Sequence, residues 1–256
     1  MNKERGIKMA LKSKIEWTEN TWNPVTGCTK ISDGCQNCYA YRMAKRLQGM
    51  GNRKYVNGFK VTLHKNCLTE PLNWNKPSLI FVNSMSDLFH EEVPIGFIKQ
   101  VFDIMNQATW HTFQILTKRA ERLVSISEQL NWSPNIWQGV TVESEKYKSR
   151  IELLKRVPAR IKFVSFEPLI GDVGSVNLSS IDWVIVGGES GFNCRKIEED
   201  WILNIKNQCE QQKVYFYFKQ WGGTNKKKNG RKLLGKTWDD MPEINPTEHA
   251  NIKPPR

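Results

Sequence analysis

Residues 21–47 read TWNPVTGCTKISDGCQNCYAYRMAKRL, and this stretch contains a strand pattern, a group of cysteines and a helix pattern in succession. Residues Thr21–Thr26 favour a β-strand, and Gln36–Gln48 carry apolar side chains at helical spacing. Cys28, Cys35 and Cys38 lie between strand and helix, where the letters SDG predict a turn. The spacing therefore predicts three thiols that converge beside the end of the first strand.

Strand and helix patterns alternate along the rest of the chain. Several of the strand patterns are continuously apolar, which is typical of strands buried on both faces of a parallel sheet. The further expected strands are Phe59–Leu63, Leu79–Asn83, Thr112–Leu116, Ile136–Val142, Ile161–Phe166, Trp183–Val186 and Val214–Phe218. The further expected helices are Ile95–Gln107, Ala120–Leu130, Ser144–Arg156 and Glu198–Gln211.

This alternation predicts an α/β fold, namely a single-domain partial (β/α) barrel of mostly parallel strands with helices outside. An open doubly wound sheet is the alternative. We expect a basic leader over residues 1–13, the barrel over 14–223 and a basic, poorly structured tail over 224–256. The tail contains the run KKKNGRKLLGK at residues 226–236, which would either be a solvated loop or contact phosphate.

Composition and charge narrow the class of protein. The 256 residues carry a net charge of +12, which favours polyanionic partners such as nucleic acid. No apolar run approaches the roughly 18 residues of a membrane-spanning helix. The N-terminus lacks the apolar centre of a secretory signal, so we expect a cytoplasmic protein. Six cysteines in such a chain indicate metal or redox chemistry rather than disulfides.

Three clustered cysteines leave more than one metal open. Structural zinc usually has four protein ligands, and so does a four-iron cluster. Three thiolates would leave one iron free for a substrate or cofactor. His64 or Cys67 could instead complete a zinc site from a distance, and three unliganded thiols are the remaining alternative.

Polar or small residues follow six of the expected strands, where a barrel would open. Because catalytic side chains of barrels lie at these strand ends, a ring of hydrogen-bonding groups around one cavity is expected. The six endings are Ser84-Met85-Ser86-Asp87, Thr117-Lys118, Thr141-Val142-Glu143, Ser165-Phe166-Glu167, Gly187-Gly188-Glu189-Ser190 and Lys219-Gln220.

The opening WNP…GC…GC..CYA, together with ILTKR, FEPL and GGESG further along, resembles the radical S-adenosylmethionine superfamily and a phage-associated family within it. The commonest superfamily motif has three residues between its first two cysteines. This chain has six, a difference that a loop can absorb. The resemblance implies a [4Fe–4S] cluster on Cys28, Cys35 and Cys38, with S-adenosylmethionine on the fourth iron. One electron would cleave the cofactor to methionine and a 5′-deoxyadenosyl radical.

The resemblance also implies roles for residues at the strand ends. Tyr39 would pack near the adenine or belong to the helix core. The amine of the cofactor would be bound by Ser84, Ser86 and Asp87. Its ribose or carboxylate would be bound by Thr141 and Glu143, and Glu143 is also suited to cap the next helix.

Three further strand-end residues are candidate catalytic groups. Glu167 precedes a proline and should be extended, which favours a carboxylate that faces the cavity. Glu189 would be a substrate-site residue or an exposed carboxylate on a tight turn. Lys219 could neutralise a nucleotide beside aromatic rings. Lys118 and Arg119 would face a phosphate or a substrate, or open a helix in solvent.

We therefore predict a radical enzyme that acts in modification or repair of DNA, RNA or a nucleotide. Its electron donor would be a protein such as flavodoxin or ferredoxin, and the gene would be phage-encoded and the protein active in host cytoplasm. The alternative is a zinc-stabilised nucleic-acid-binding protein without catalysis. No membrane association is expected, and the sequence makes no prediction of oligomeric state.

Overall fold

The computed structural model describes Ser13 and residues 15–243. Within these residues the strands are, in chain order, β1 (Asn20–Trp22), β2 (Val25–Thr26), β3 (Thr62–Leu63), β4 (Leu79–Val82), β5 (Thr112–Thr117), β6 (Ile136–Thr141), β7 (Ile161–Phe166), β8 (Trp183–Gly187) and β9 (Tyr215–Gln220). The helices are α1 (Tyr39–Gly49), α2 (Ile95–Gln107), α3 (Ala120–Ser127), α4 (Ser149–Lys155), α5 (Glu199–Gln212) and α6 (Lys226–Asn229).

Seven strands form one sheet in the order β1-β4-β5-β6-β7-β8-β9, and each neighbouring pair is parallel. The sheet curls into a half-barrel with the helices around it, so the predicted partial (β/α) barrel is confirmed. Parallel neighbours bring all carboxyl ends of the strands to one rim, and we call this rim the mouth.

The prediction of one strand over Thr21–Thr26 is wrong, because β1 ends at Trp22 and β2 begins at Val25. Pro24 separates them and has no N–H to donate to a neighbouring strand. The N–H of Val25 instead donates to Oδ1 of Asn83 at 3.2 Å. β2 pairs antiparallel with β3 in a separate small sheet. The predicted strand Phe59–Leu63 therefore contributes β3 to that sheet and does not join the half-barrel.

The core has two layers that follow the alternation of side chains along the strands. The larger layer packs the outer face of the sheet against the helices. The inner face carries its own cluster of large side chains, which fills the half-barrel below the mouth: Trp17, Phe81, Trp137, Phe163, Trp183, Ile185 and Tyr217. Residues on the same inner face nearer the mouth are small or polar, and these are Thr141, Ser165, Glu167, Gly187 and Lys219.

Residues 224–243 of the predicted tail pack against the last strand. Leu233 is fully buried, and the ring of Trp238 lies 6.0 Å from that of Phe216. The backbone carbonyl of Asp240 accepts a hydrogen bond from Nε1 of Trp183 at 2.9 Å. The predicted leader, apart from Ser13, and the tail beyond residue 243 lie outside the described residues. None of the helices in the described range has the length and apolar character needed to cross a membrane.

Candidate active site

Cys28, Cys35 and Cys38 belong to one segment between β2 and α1, which we call the cysteine loop (residues 28–38). A short 3₁₀ turn, Asp33–Cys35, occupies its middle, and Cys38 immediately precedes α1. The helix expected from Gln36 begins at Tyr39 instead. All three cysteines are free thiols and half-buried. The loop thus carries three free, half-buried thiols within 11 residues.

Arg119 holds the first cysteine against the ends of β4 and β5. Its Nη1 lies 3.5 Å from Sγ of Cys28 and 3.2 Å from Oδ2 of Asp87, and its Nη2 donates to the carbonyl and hydroxyl of Thr29. Nε of Arg119 also donates to both oxygens of Glu91. Arg119 is 3% exposed, so it does not open α3 in solvent. This buried guanidinium connects the start of the cysteine loop to the strand ends.

Glu143 holds the middle of the loop. It is fully buried, and its oxygens lie 2.8 Å from Nζ of Lys118 and 2.8 Å from Nη1 of Arg150. Oγ of Ser32 donates to the same carboxylate and lies 3.5 Å from Sγ of Cys35. Glu143 does not cap the following helical segment, which starts as a 3₁₀ turn over Glu145–Tyr147.

Glycine at position 34 allows this close contact. A Cβ built on Gly34 would lie 2.5 Å from Cγ of Glu143, which is nearer than real atoms approach. The loop backbone therefore packs directly on the buried carboxylate.

Glu189 holds the end of the loop. Its Oε2 accepts hydrogen bonds from Nδ2 of Asn37 at 2.9 Å and from the backbone N–H of Arg195 at 2.8 Å. The guanidinium of Arg195 forms an ion pair with the same carboxylate, and Glu189 is 4% exposed. The alternative of an exposed carboxylate on a tight turn is therefore wrong.

Asp87, Glu143 and Glu189 thus share one geometry. Each is a buried carboxylate beyond the end of a parallel strand. Glu143 and Glu189 bond directly to side chains of the cysteine loop, and Asp87 reaches the loop through Arg119. Their hydrogen bonds to protein groups explain how the loop is fixed over the mouth. The cofactor or substrate roles predicted for them remain predictions.

The predicted cofactor-binding residues near β4 mainly bond to the chain. Oγ of Ser84 donates to Oδ1 of Asn23 at 3.1 Å, and Oγ of Ser86 donates to the carbonyl of Val25 at 2.8 Å. The hydroxyl of Tyr39 donates to the carbonyl of Ser84. Because the ring of Tyr39 is 52% exposed, Tyr39 is not a residue of the helix core.

A second charged pair lies on the inner face of the sheet. Nζ of Lys219 is 3.1 Å from Oε1 of Glu167, and both side chains are largely buried. Gly187 provides the space, since a Cβ there would lie 2.3 Å from the same oxygen. Oγ of Ser165 lies 3.5 Å from the other oxygen of Glu167. Thr141 lies on the same face near the mouth and is 3% exposed. These residues face the interior that a ligand at the mouth would contact.

The environments of two thiols differ. Burial raises the pKa of Cys28 to about 12. The negative charge of Asp87 also raises this pKa, and the positive charge of Arg119 lowers it. Burial also acts on Cys35, but the Lys118 ammonium and hydrogen bonds from the neighbouring backbone and Ser32 lower the pKa of Cys35 below its ordinary value. The buried carboxylate of Glu143 resembles Cys35 in this respect. The positive charges of Lys118 and Arg150 outweigh the effect of burial and lower the pKa of Glu143.

The chemistry of the donors suits an iron–sulfur group, and three thiols are one fewer than the four that ordinarily hold a four-iron cluster. Cys28 lies beside the guanidinium of Arg119, and Cys35 is affected by the charge of Lys118. Cys38 lies at the N-terminus of α1, where a helix favours negative charge. The side-chain positions themselves do not form a metal cage: within the described range, no three His, Cys, Asp or Glu side chains are grouped closely enough to hold an ion.

The residues considered as a fourth zinc ligand have other partners. Nε2 of His64 lies 2.8 Å from Oγ1 of Thr26, and Sγ of Cys67 lies 3.3 Å from Nζ of Lys54. His64 also begins a 3₁₀ turn directly after β3. Both residues therefore belong to the small sheet and its surroundings.

Sequence reasoning missed several residues of the site. The sequence pattern assigns Ser32 only to a turn, and it does not distinguish Asn37, Arg150 and Arg195 from other polar residues. The position of Lys118 and Arg119 immediately after a buried strand is a signal for two of the cations. No sequence pattern identifies Arg195, which meets the loop only because the segment after β8 lies beside it.

Comparison with known proteins gives a family and a set of distant structures. The family described as "Protein of unknown function (DUF5131)" matches residues 12–242. No curated protein matches the chain.

Three solved structures of spore photoproduct lyase are similar. A variant with bound AdoMet and dinucleoside spore photoproduct has 9% identity, coverage of 79% of this chain and 64% of that chain, and a TM-score of 0.48. A second variant has 11% identity, coverage of 82% and 66%, and a TM-score of 0.48. The lyase complexed with dinucleoside spore photoproduct has 11% identity, coverage of 82% and 66%, and a TM-score of 0.46. The present chain thus spans a little under two thirds of the length of these proteins.

Proposed function

Because the chain belongs to the DUF5131 family, whose description names no activity, we propose its function from its own residues. We propose a radical S-adenosylmethionine enzyme that holds a [4Fe–4S] cluster on Cys28, Cys35 and Cys38. We further propose that it modifies or repairs a nucleic acid or a nucleotide, with a reducing protein such as flavodoxin or ferredoxin as its electron donor.

The observation that carries this proposal is the placement of the cysteine loop. Its three thiols are free and half-buried, and buried carboxylates from three strand ends fix the loop over the mouth. Such a rigid support is more than a short solvent-exposed loop needs, since surface loops commonly carry few buried contacts. A group that must be presented at a defined position relative to the barrel interior would require it.

The bound cluster would supply the electron that cleaves S-adenosylmethionine and yields a 5′-deoxyadenosyl radical. The protein would bind and orient the partners of that reaction. Tyr39 offers an exposed ring beside the loop, and Ser84, Ser86, Asp87, Thr141 and Glu143 are the proposed cofactor-binding residues.

Deeper at the mouth, Glu167 and Lys219 form the proposed catalytic pair, and Glu189 is a third candidate. An ammonium and a carboxylate 3.1 Å apart can exchange partners with a polar substrate without leaving a bare buried charge.

The test is anaerobic purification and reconstitution with iron and sulfide, followed by dithionite and S-adenosylmethionine. We expect a brown protein that bleaches in air and forms 5′-deoxyadenosine and methionine. Replacement of Cys28, Cys35 or Cys38 with Ala should abolish iron retention. Cys209→Ala is the control, since Cys209 is buried within α5 and should leave iron content unchanged.

The alternative of a non-catalytic zinc protein predicts different results. A colourless protein with one tightly bound zinc, stable in air and inert toward S-adenosylmethionine, would reject the proposed radical chemistry. Iron retention without formation of 5′-deoxyadenosine would mean that the protein binds an iron–sulfur cluster but does not cleave S-adenosylmethionine. That result would reject S-adenosylmethionine as the cofactor.

A further inference from the structure

Helix α1 exposes a stripe of large apolar and cationic side chains that the packing of the fold does not require. Residues 39, 42, 43 and 46 are three or four positions apart and therefore share one helix face. Tyr39 is 52% and Met43 is 42% exposed, and Arg42 and Arg46 are exposed beside them. The buried face of α1 contains only Ala40 and Ala44.

The segment of chain that contains this stripe carries charges of one sign. Residues 34–69 include seven Lys or Arg and no Asp or Glu. In the part of the chain that the structure describes, none of these seven cations lies within ion-pair distance of a carboxylate. Many other cations of the protein form ion pairs, among them Lys118, Lys146, Arg150 and Lys219. Uncompensated cations on a helix and its neighbouring segments create a local positive potential that attracts a polyanion.

Phe192 adds an aromatic ring at the edge of α1. It is 74% exposed, yet its backbone is fixed, because Arg42 donates to the carbonyls of Phe192 at 3.2 Å and Ser190 at 2.8 Å. Gly191 has φ of +108°, and a Cβ there would lie 2.3 Å from Nη2 of Arg42. These bonds keep the backbone of Phe192 beside Arg42, so its exposed ring adds to the apolar and cationic side chains of α1.

We propose that this surface, formed by Arg42, Met43, Lys45, Arg46 and Phe192, binds single-stranded nucleic acid. Exposed Lys45 and Arg46 contact phosphates, and the exposed ring of Phe192 stacks on an unpaired base. Tyr39, whose ring is proposed for the cofactor, borders this surface. Because Tyr39 follows Cys38 directly, the bound strand passes beside the cysteine loop. The proposal deepens the proposed function, since it names the form of nucleic acid that reaches that site.

Another class of partner, an acidic electron-transfer protein, would also be attracted by positive charge. Four of the seven cations between residues 34 and 69 are lysines. Lysine is depleted at protein–protein interfaces, whereas it is common where proteins contact phosphate. The exposed flat ring of Phe192 suits base stacking as well. The observations therefore favour nucleic acid over a protein at this surface.

The test uses the full chain without iron, so that it does not depend on the proposed chemistry. Fluorescence anisotropy would measure binding of labelled 12-nucleotide single-stranded DNA and RNA of mixed sequence. We expect saturable binding that weakens steeply with salt, as expected for phosphate contacts. Phe192→Ala should weaken binding by roughly 5- to 100-fold, the usual effect of losing one stacked base.

Matched controls separate this surface from general basicity. Lys45→Gln combined with Arg46→Gln should weaken binding and flatten the salt dependence. Lys99→Gln removes an exposed cation from α2, and Tyr215→Ala removes a 46% exposed ring at the opposite end of the sheet. Both controls should bind like the unaltered protein.

Equal loss of affinity in the controls, or no binding by either oligonucleotide, would overturn the proposal. So would binding of flavodoxin or ferredoxin that depends on Phe192 and Arg46 while oligonucleotides do not bind. If oligonucleotides bind as described but the protein forms no 5′-deoxyadenosine, the surface assignment stands and the proposed enzymatic function fails.

Discussion

Oγ of Ser32 donates a hydrogen bond to Oε1 of Glu143, which lies 111 residues further along the chain. Ser32 lies three residues before Cys35, and Glu143 follows the last residue of β6 by two positions. This bond joins the cysteine loop to the rim of the half-barrel. It makes a buried carboxylate part of the support for the proposed metal ligands.

Replacement of Glu143 should destabilise the protein strongly. Glu143→Ala leaves the cations of Lys118 and Arg150 without their buried partner. Removal of one member of a buried ion pair costs about 3 kcal/mol or more. Urea denaturation of the iron-free protein would measure the loss in the free energy of unfolding. Glu145→Ala is the control: its pair with Lys148 is exposed, and we expect a change within about 0.5 kcal/mol. Similar losses in both variants would contradict the anchoring role.

Gly34 in the cysteine loop and Gly49 at the end of α1 should respond differently to replacement with alanine. Gly34→Ala forces a methyl group against Glu143, and we expect a loss of about 1–3 kcal/mol together with faster reaction of the loop thiols with a disulfide reagent. Gly49→Ala lies at the end of α1, where a new Cβ meets nothing within 4 Å. It should be neutral or stabilise by up to about 1 kcal/mol. Equal thiol reactivity in the two variants would show that the Gly34 contact does not fix the loop.

Loss of the cation at position 219 should affect catalysis more than iron binding. Lys219→Met leaves Glu167 without its ion-pair partner on the inner face of the sheet. We expect unchanged iron content and at least a 10-fold decrease in formation of 5′-deoxyadenosine, measured in single-turnover assays. Lys232→Met removes an exposed cation of the C-terminal segment and should leave both measurements unchanged. Loss of iron from the Lys219 variant would place this residue in the support of the loop instead.

Acid should destabilise the protein through His64. Burial and the nearby Lys54 ammonium lower the pKa of His64 from its ordinary 6.5 to about 4. Between these values the unfolded chain binds a proton that the folded chain does not. The contribution of neutral His64 to the free energy of unfolding is therefore fully present above pH 6.5, and it is lost as the pH falls to about 4. Urea denaturation at several pH values should show a smaller decrease over this window for His64→Gln than for the unaltered protein. Parallel profiles would mean that His64 titrates normally in the folded state.

Some elements followed from sequence pattern alone. The buried runs LIFV in β4 and WVIV in β8 predicted parallel strands, because a strand covered on both faces has no polar side. The run from Thr21 to Thr26 was predicted as one strand, since its composition favours β structure. Pro24 interrupts this run, and the N–H of Val25 donates a hydrogen bond to the side chain of Asn83 instead of to a neighbouring strand. That hydrogen bond depends on a residue 58 positions away in the sequence.

The sequence by itself determined that strands alternate with helices, that the strands end in polar groups, and that three cysteines lie together after the first strand. Local hydrophobic period and spacing are sufficient for such features. Only the tertiary structure decided which polar groups support the cysteine loop and which face the interior. Glu143 and Glu167 both follow parallel strands by a residue or two, yet one anchors Ser32 and the other pairs with Lys219. The direction of each carboxylate depends on the curl of the sheet and on partners far away in the chain, which no local pattern specifies.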